Sequence, residues 1–308
     1  MNISKIHSVF ASGCRELIVT ILFIVVMRLL TGVELVDDPV FWFVLALQIG
    51  IALFLLQFSN NYLIIREKTM LPAVFYLLLT GIDSTSYLNP EATAISLCCL
   101  ICLHLLFRSY QNPDSQKDAL NISLLLTLCS LMWQQALFFF PLVWYGFYRL
   151  RCLNYKTFFA TIIGVLTVYL FIFTWMVYID RPMDFLNFLP QKQDLLMLQP
   201  LLLTSREWAL CFYFVIMFFV SGFSLYIINH TEKVRTSTFL HYLYFLSVVV
   251  FVLLMLQSKS KTNWAMALYV PMSLLLAYCY TLSRRKIVGW ILILNFVFFL
   301  GLYLWQWK

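Results

Sequence analysis

Charged residues are scarce in this chain of 308 residues: they make up 11% of it, and only 14 positions are acidic. Soluble globular domains carry charge at about a quarter of their positions, so this composition excludes that class. Hydrophobic residues account for 62% of the chain and recur in continuous runs. Those runs approach the length of about 20 residues that a helix needs to cross a bilayer, and they lack the alternation of a transmembrane barrel.

Several other signals are missing. The eight cysteines fall mostly inside apolar runs and form no pattern in a polar loop, so a disulfide framework is not expected. The net charge of +7 comes without a basic stripe interleaved with aromatic residues, which argues against a nucleic-acid partner. The first apolar run has no small-residue cleavage site and is interpreted as an uncleaved span. The polar segments contain no Walker A motif, Gly-rich phosphate loop, Ser-His-Asp spacing or zinc motif.

The apolar runs predict an all-α, polytopic transmembrane bundle of about 11 spans (10–12), some of them short or broken, in a single integral membrane domain covering 1–308. The run over 120–150 is too long for one span, and Trp133-Gln134-Gln135 interrupts it. We interpret it as two short spans; one strongly tilted helix is the alternative. The predicted spans are 17–33, 39–58, 69–82, 92–107, 120–133, 136–150, 158–179, 208–228, 239–256, 264–282 and 287–306.

Two segments outside the spans are also predicted to be helical. Residues 1–16 carry apolar side chains at roughly helical spacing beside Lys5 and Arg15, which indicates an amphipathic helix at the membrane surface. The longest polar insertion, 180–207, contains five leucines between 195 and 202 and is expected to be an extracytoplasmic loop with an interfacial helix.

Basic residues divide unevenly between the two sides of the predicted bundle. With the N-terminus in the cytoplasm, 14 lie inside and six outside, as the positive-inside rule expects. Treating 120–150 as one span would reverse every later loop, so this distribution favours two spans. The inside residues are Lys5, Arg15, Arg66, Lys68, Arg108, Lys117, Arg149, Arg151, Lys156, Lys233, Arg235, Arg284, Arg285 and Lys286, and the outside residues are Arg181, Lys192, Arg206, Lys259, Lys261 and Lys308.

Acidic side chains are concentrated in the loop after the first span. Glu34, Asp37 and Asp38 lie between two of the most apolar segments of the chain. A partly desolvated carboxylate at a membrane interface can act as a general base, and such carboxylates can also hold a divalent metal ion on a diphosphate. The alternative is a solvated polar turn in which Pro39 starts the second span. We take these three acidic residues as the candidate catalytic group.

Polar residues in or near the spans are candidates for substrate binding. Arg28 is a charge inside the first span, where it would contact a lipid phosphate or snorkel to the interface. Gln134 and Gln135 would line a polar pocket or form interhelical hydrogen bonds. The outside cations Arg181, Lys259 and Lys261 oppose the charge bias and would bind a lipid-linked phosphate or ordinary lipid headgroups.

These features resemble the GT-C superfamily of membrane glycosyltransferases. Members of that superfamily carry a catalytic acidic residue in the first extracytoplasmic loop, directly after a first span whose N-terminus is cytoplasmic, and the acidic loop of this chain occupies that position. Leu124–Ile179 is also similar, with short paired spans, a basic turn at 149–151 and a long following span. A further likeness, to a polytopic inner-membrane family of Bacteroidetes, lies in Leu88–Arg108 and Gln135–Tyr169.

The resemblance implies a glycosyltransferase that uses a polyprenyl-phosphate-linked sugar at the extracytoplasmic face of the bacterial inner membrane, surrounded by membrane lipids. The acidic loop is shorter than is usual in GT-C enzymes and lacks a His-Pro-Asp-Glu or Asp-x-Asp signature, which leaves an inactive relative as an alternative. A second alternative is a non-enzymatic assembly factor or a partner subunit of an envelope complex. A transporter ranks third, because no internal repeat is visible and Arg28 is the sole deep charge.

Overall fold

The computed structural model describes residues 38–65, 69–82, 86–180, 183, 205–228, 234–257 and 260–282, with single positions between 18 and 26 and between 298 and 302. The regular elements in these ranges are helices. They are α1 (Pro39–Tyr62), α2 (Leu71–Ile82), α3 (Pro90–Arg108), α4 (Gln116–Met132), a 3₁₀ helix (Gln134–Phe138), α5 (Phe139–Arg149), α6 (Tyr155–Tyr178), α7 (Ser205–Ile228), α8 (Val234–Leu256) and α9 (Lys261–Leu282).

Six helices of the described part are long and apolar enough to cross a membrane, namely α1, α3, α6, α7, α8 and α9. The prediction of an all-helical, multi-pass integral membrane protein is therefore confirmed. The count of about 11 spans and the cytoplasmic N-terminus stay predictions. The segments predicted at 1–16, 17–33 and 287–306, and the interfacial helix within 180–207, lie outside the residues described apart from single positions.

The interruption predicted within 120–150 is present. Helix α4 ends at Met132, Trp133 adopts an extended conformation, and the 3₁₀ helix leads into α5 at Phe139. An extended residue cannot continue the helical hydrogen-bond ladder, so the polar sequence Trp133-Gln134-Gln135 divides the run into two helices. A single tilted helix over 120–150 is thereby excluded.

The chain divides into two compact units, one comprising 1–96 with 201–308 and the other comprising 97–200. In the first unit, α9 packs against α2, α7 and α8, and α2 also packs against α1. All 12 residues of α2 are buried. Across the α2–α9 contact, the rings of Phe75 and Tyr280 stack with their centroids 5.1 Å apart. Helices α2 and α9 therefore form the centre of this unit.

Helix α1 shows how the outer helices of the first unit are built. Pro39 occupies its first turn, where the missing N–H costs nothing. Buried residues such as Phe41, Leu45 and Gln48 recur every three or four positions, while Trp42 and Phe43 are exposed. Since both sides are apolar, the exposed side is suited to contact with lipid rather than with water.

The second unit contains a helical hairpin. The backbone N–H of Gln111, just before α4, donates to the carbonyl oxygen of Leu150, just after α5, over 3.2 Å. The chain therefore leaves along α4 and returns along the 3₁₀ helix and α5 to the same end. The outward arm of 17 residues and the return arm of 16 (five in the 3₁₀ helix and 11 in α5) are each about 25 Å long, which is close to the bilayer core.

Helix α6 packs along α4 through small side chains. The hydroxyls of Ser115 and Thr157 lie 3.5 Å apart at the start of the two helices. Two turns further, Gly164 of α6 lies against Ser123 of α4. The helices therefore run parallel, and the glycine and serine allow the close backbone approach that is typical of helix pairs in membranes.

Candidate functional site

Asp38 is the one candidate catalytic residue among the positions described. It lies immediately before α1 with an extended backbone (φ −81°, ψ 121°), and its carbonyl oxygen accepts the N–H of Phe41 over 3.1 Å. The side chain is exposed and makes no capping hydrogen bond to the helix. The carboxylate is thus not committed to the structure of the helix end.

An apolar cluster begins one helical turn after Asp38. Phe41, Leu45 and Tyr87 are buried together, with the rings of Phe41 and Tyr87 edge to face at 6.4 Å between centroids. The Tyr87 hydroxyl donates to the carbonyl oxygen of Gly81 at the end of α2. These contacts connect the start of α1, next to Asp38, with the end of α2 in the first unit.

Five predicted site residues lie outside the described part of the chain. They are Glu34, Asp37, Arg28, Arg181 and Lys259. Their roles as catalytic residues or as substrate contacts stay predictions. The divalent metal considered for the acidic loop stays a prediction for the same reason. Within the described ranges, no group of three or more His, Cys, Asp or Glu side chains is arranged to hold a metal ion.

Gln135 and Gln134 lie in the 3₁₀ helix of the second unit. Gln135 is buried, and its side-chain oxygen accepts the indole N–H of Trp133 over 3.1 Å. Gln134 is half-buried. Since the bond from Trp133 spans the break between α4 and α5, Gln135 stabilises the turn of the hairpin. A contact between either glutamine and a substrate stays a prediction.

Lys261 begins α9 in the first unit and is half-buried. Its ammonium group lies 3.4 Å from the carboxylate of Glu207 in the first turn of α7. The pair joins the starts of two packed helices. Any anionic ligand at Lys261 would therefore compete with Glu207.

Two polar contacts in the first unit were not foreseen as pairs. The side-chain amide of Gln48 in α1 donates to the hydroxyl of Thr93 in α3 over 3.4 Å. The hydroxyls of Tyr76 in α2 and Ser96 in α3 are 2.6 Å apart. All four groups are buried within helices, where such bonds join neighbouring helices. In the sequence, the position of Gln48 within an apolar run indicates a polar contact between helices, but it does not show which residue is the partner.

The structure also brings basic residues together at one end of the second unit. We call Arg108, Lys117, Arg149, Arg151 and Lys156 the cationic end. They lie at the end of α3, the start of α4, the end of α5 with the turn after it, and the start of α6. All five are exposed, and Arg108 forms a salt bridge with the mostly buried Asp118. The sequence had placed all five on the same side of the membrane.

Contacts between loops hold the cationic end in shape. Besides the bond from Gln111 to Leu150, the side chain of Asn154 donates to the carbonyl oxygen of Pro113 over 3.3 Å. The Cys152 thiol donates to the carbonyl oxygen of Ser109. Burial raises the pKa of this thiol, and hydrogen bonds from the Asn112 backbone, the Ser109 side chain and the Gln111 backbone offset part of the rise. Cys152 thus helps to join the two loops.

Comparisons of this chain with protein-family models, with curated proteins and with solved structures find no match. The fold and the site therefore define only a broad class of protein. It is a multi-pass helical membrane protein with an exposed carboxylate at the start of a membrane-length helix.

Proposed function

We propose that the protein is a GT-C-like glycosyltransferase of the bacterial inner membrane that takes a polyprenyl-phosphate-linked sugar at the extracytoplasmic face. The observation that carries this proposal is the placement of Asp38, whose exposed carboxylate lies at the start of a membrane-length helix and is not used to cap it. A carboxylate at the end of a membrane-spanning helix would lie at the membrane surface, where it can reach both a lipid-linked donor and an acceptor in water.

The proposal includes an N-terminus in the cytoplasm and about 11 spans. The hairpin of α4 and α5 supports this topology, because it returns the chain to the end from which it left. The gathering of five basic residues at that end is the pattern expected of a cytoplasmic face. The proposed span count then puts the first loop, with Asp38, on the extracytoplasmic side.

The reaction is an inverting transfer. Asp38 or Asp37 takes the proton of the acceptor hydroxyl, the acceptor oxygen bonds to the anomeric carbon, and the bond from that carbon to the phosphate oxygen breaks. The polyprenyl phosphate leaves with the electron pair of that bond. Arg28, Lys259 and Lys261 are the proposed cations for its charge, and Glu34 assists the base. Arg181, Gln134 and Gln135 stay predicted substrate-binding residues. A divalent ion on the acidic loop would serve the same purpose for a diphosphate.

The test is complementation of cells that lack the chain, followed by mass spectrometry of their lipid-linked and surface glycans. The wild-type chain should restore a glycan that the Asp37→Asn/Asp38→Asn double variant does not, at equal membrane abundance. The control is Asp180→Asn, which changes an exposed carboxylate just after the C-terminal end of α6, another membrane-length helix. Full restoration by the double variant would end the proposal, as would a glycan profile that is unaffected by loss of the wild-type chain.

The second candidate function is a non-enzymatic membrane component, either an assembly factor or a subunit of an envelope complex. It is favoured by the internal contacts of two predicted substrate-binding residues, because Gln135 bonds to Trp133 and Lys261 pairs with Glu207. This candidate predicts that changes at 34–38 are tolerated and that a second membrane protein co-purifies in a fixed ratio.

A further inference from the structure

We propose that the cationic end of the second unit is a binding surface for anionic phospholipid headgroups. This inference goes beyond the transferase and does not depend on it. It rests on three features of the described residues: the convergence of four helix ends, the exposure of the basic side chains, and the apolar and aromatic residues beside them.

The first feature is the convergence of four helix ends, which hydrogen bonds between their loops join into one frame. The loops over 109–115 and 150–154 are joined by backbone and side-chain hydrogen bonds of 3.2–3.5 Å. Leu150 is 0% exposed and Cys152 is 1% exposed, so the centre of this frame is closed to solvent. Charges fixed on such a frame bind an anion without the cost of ordering a loop.

The second feature is charge that is open to a ligand. Lys117, Arg149, Arg151 and Lys156 are exposed, and none of the four has a salt-bridge partner among the described residues. Arg108 is different, because Asp118 already neutralises it. One more carboxylate, the exposed Asp114, lies in the same loops. The surface thus keeps an excess of positive charge.

The third feature identifies the ligand as a lipid. Tyr148 and Tyr155 are 68% and 89% exposed, and tyrosines beside cations at the end of an apolar helix are typical of the headgroup region. The exposed apolar side chains of Phe158 and Phe159 continue from there along α6, one of the helices long and apolar enough to span the membrane. A water-soluble polyanion would meet these apolar groups, whereas a lipid offers its phosphate to the cations and its chains to α6.

The opposite end of the unit shows the contrast. The described stretches 128–141 and 172–180 contain no Lys or Arg, and Asp180 is exposed there. Among the described residues of the unit, the exposed cations therefore lie at the cationic end. Each cation near an anionic surface strengthens binding by about fivefold, and the attraction weakens as salt shortens the Debye length from about 10 Å at 0.1 M to about 3 Å at 1 M.

The experiment is native mass spectrometry of the full-length protein in detergent, titrated with phosphatidylglycerol or phosphatidylcholine. The wild type should bind phosphatidylglycerol at least tenfold more tightly. In the Lys117→Gln/Arg149→Gln/Arg151→Gln/Lys156→Gln variant this preference should fall by about tenfold or more. The charge-preserving control, Lys117→Arg/Arg149→Lys/Arg151→Lys/Lys156→Arg, should retain it.

Equal binding of the two lipids by the wild type would overturn the proposal, as would unchanged phosphatidylglycerol binding in the neutralised variant. If the neutralised variant fails to fold, the salt dependence of the wild type decides. Phosphatidylglycerol binding that persists unchanged from low salt to 0.5 M ammonium acetate, a concentration that shortens the Debye length to about 4 Å, would contradict an electrostatic headgroup site. Displacement by equimolar inorganic phosphate would indicate a site for free phosphate and would also overturn the proposal.

Discussion

Gly164 is the residue at which packing between α4 and α6 is most sensitive to added volume. A Cβ atom at this position would overlap the hydroxyl of Ser123 and would lie 3.0 Å from the Ser123 Cβ and 3.1 Å from the carbonyl oxygen of Leu120. Rotation of the hydroxyl would relieve only the first of these contacts, and it would break the bond that Ser123 donates to Leu120 over 2.8 Å. We therefore predict that Gly164→Ala separates the two helices.

The magnitude follows from two opposing effects. Ala is favoured over Gly inside a helix by about 1 kcal/mol, whereas overpacking costs about 1–3 kcal/mol. Gly164→Ala should therefore lower the free energy of unfolding by up to about 2 kcal/mol. At Gly50 in α1 no atom lies within 4 Å of the added Cβ, so Gly50→Ala should have only the favourable effect.

The assay is unfolding of the detergent-solubilised protein, followed by size-exclusion chromatography after heating. Gly164→Ala should unfold at a lower temperature than the wild type and Gly50→Ala at the same or a higher one. The Ser123→Gly/Gly164→Ala double variant, which moves the small residue to the other helix, should recover part of the loss. Equal stability of the two single variants would refute the close contact between α4 and α6.

Three further predictions follow from contacts at the ends of the second unit. Gln135→Leu should destabilise the protein by about 1–3 kcal/mol in the same heating assay, because the Trp133 indole loses its hydrogen-bond acceptor. Normal stability together with loss of the glycan would instead indicate that Gln135 binds the substrate. Arg108→Gln should lower the free energy of unfolding by only about 1 kcal/mol, because the Arg108 side chain is 56% exposed. A double-mutant cycle with Asp118→Asn measures the energy of the salt bridge between the two side chains. Burial raises the pKa of the Cys152 thiol in the folded protein. Above the ordinary thiol pKa of about 8.5 the unfolded chain therefore loses this proton first, and the free energy of unfolding decreases as pH rises. Cys152→Ser should remove that part of the pH dependence in unfolding measured from pH 7 to pH 10, and an unchanged profile would contradict it.

The positions of the helices could be predicted because apolar runs and polar breaks are local properties. Helix α1 begins at Pro39, and α4 ends where Trp133-Gln134-Gln135 interrupts the apolar run, as expected from the sequence. The predicted boundaries of α6 and α8 are too short by a few residues at their starts, because polar first turns such as Tyr155-Lys156-Thr157 belong to the helix but not to the apolar run. Hydropathy marks the part in lipid, whereas backbone hydrogen bonds continue beyond it.

Helix contacts could not be predicted, because they depend on complementary surfaces distant in sequence. Gly164 and Ser123 are ordinary residues in their own segments, and only their meeting makes them a tight contact. The cationic end has the same origin: charge counting placed its residues on one side of the membrane, but the bond from Gln111 to Leu150 brings their helix ends together.

The candidate site was harder to predict because function depends on a few polar residues whose partners decide their roles. Lys261 looked like an unmatched outside cation in the sequence, yet Glu207 lies 3.4 Å away in the structure. The spacing of 54 positions between them hides this pair from any local pattern. Asp38 kept its candidate role because its carboxylate is exposed and does not cap α1.

The pair of Lys261 and Glu207 offers a direct test of whether the first unit binds a donor phosphate. Both side chains are about a third exposed, 28% for Lys261 and 33% for Glu207, so the pair contributes at most about 1 kcal/mol to stability. If Lys261 holds the phosphate, Glu207 is its competitor, and Glu207→Gln should strengthen donor binding while Lys261→Gln weakens it. If the pair only joins α7 to α9, both variants should lower stability by the same small amount and leave the glycan profile unchanged. Glycan mass spectrometry and heating of the two variants therefore separate a binding role from a structural one, and a matched small loss of stability with normal glycans would remove Lys261 from the proposed site.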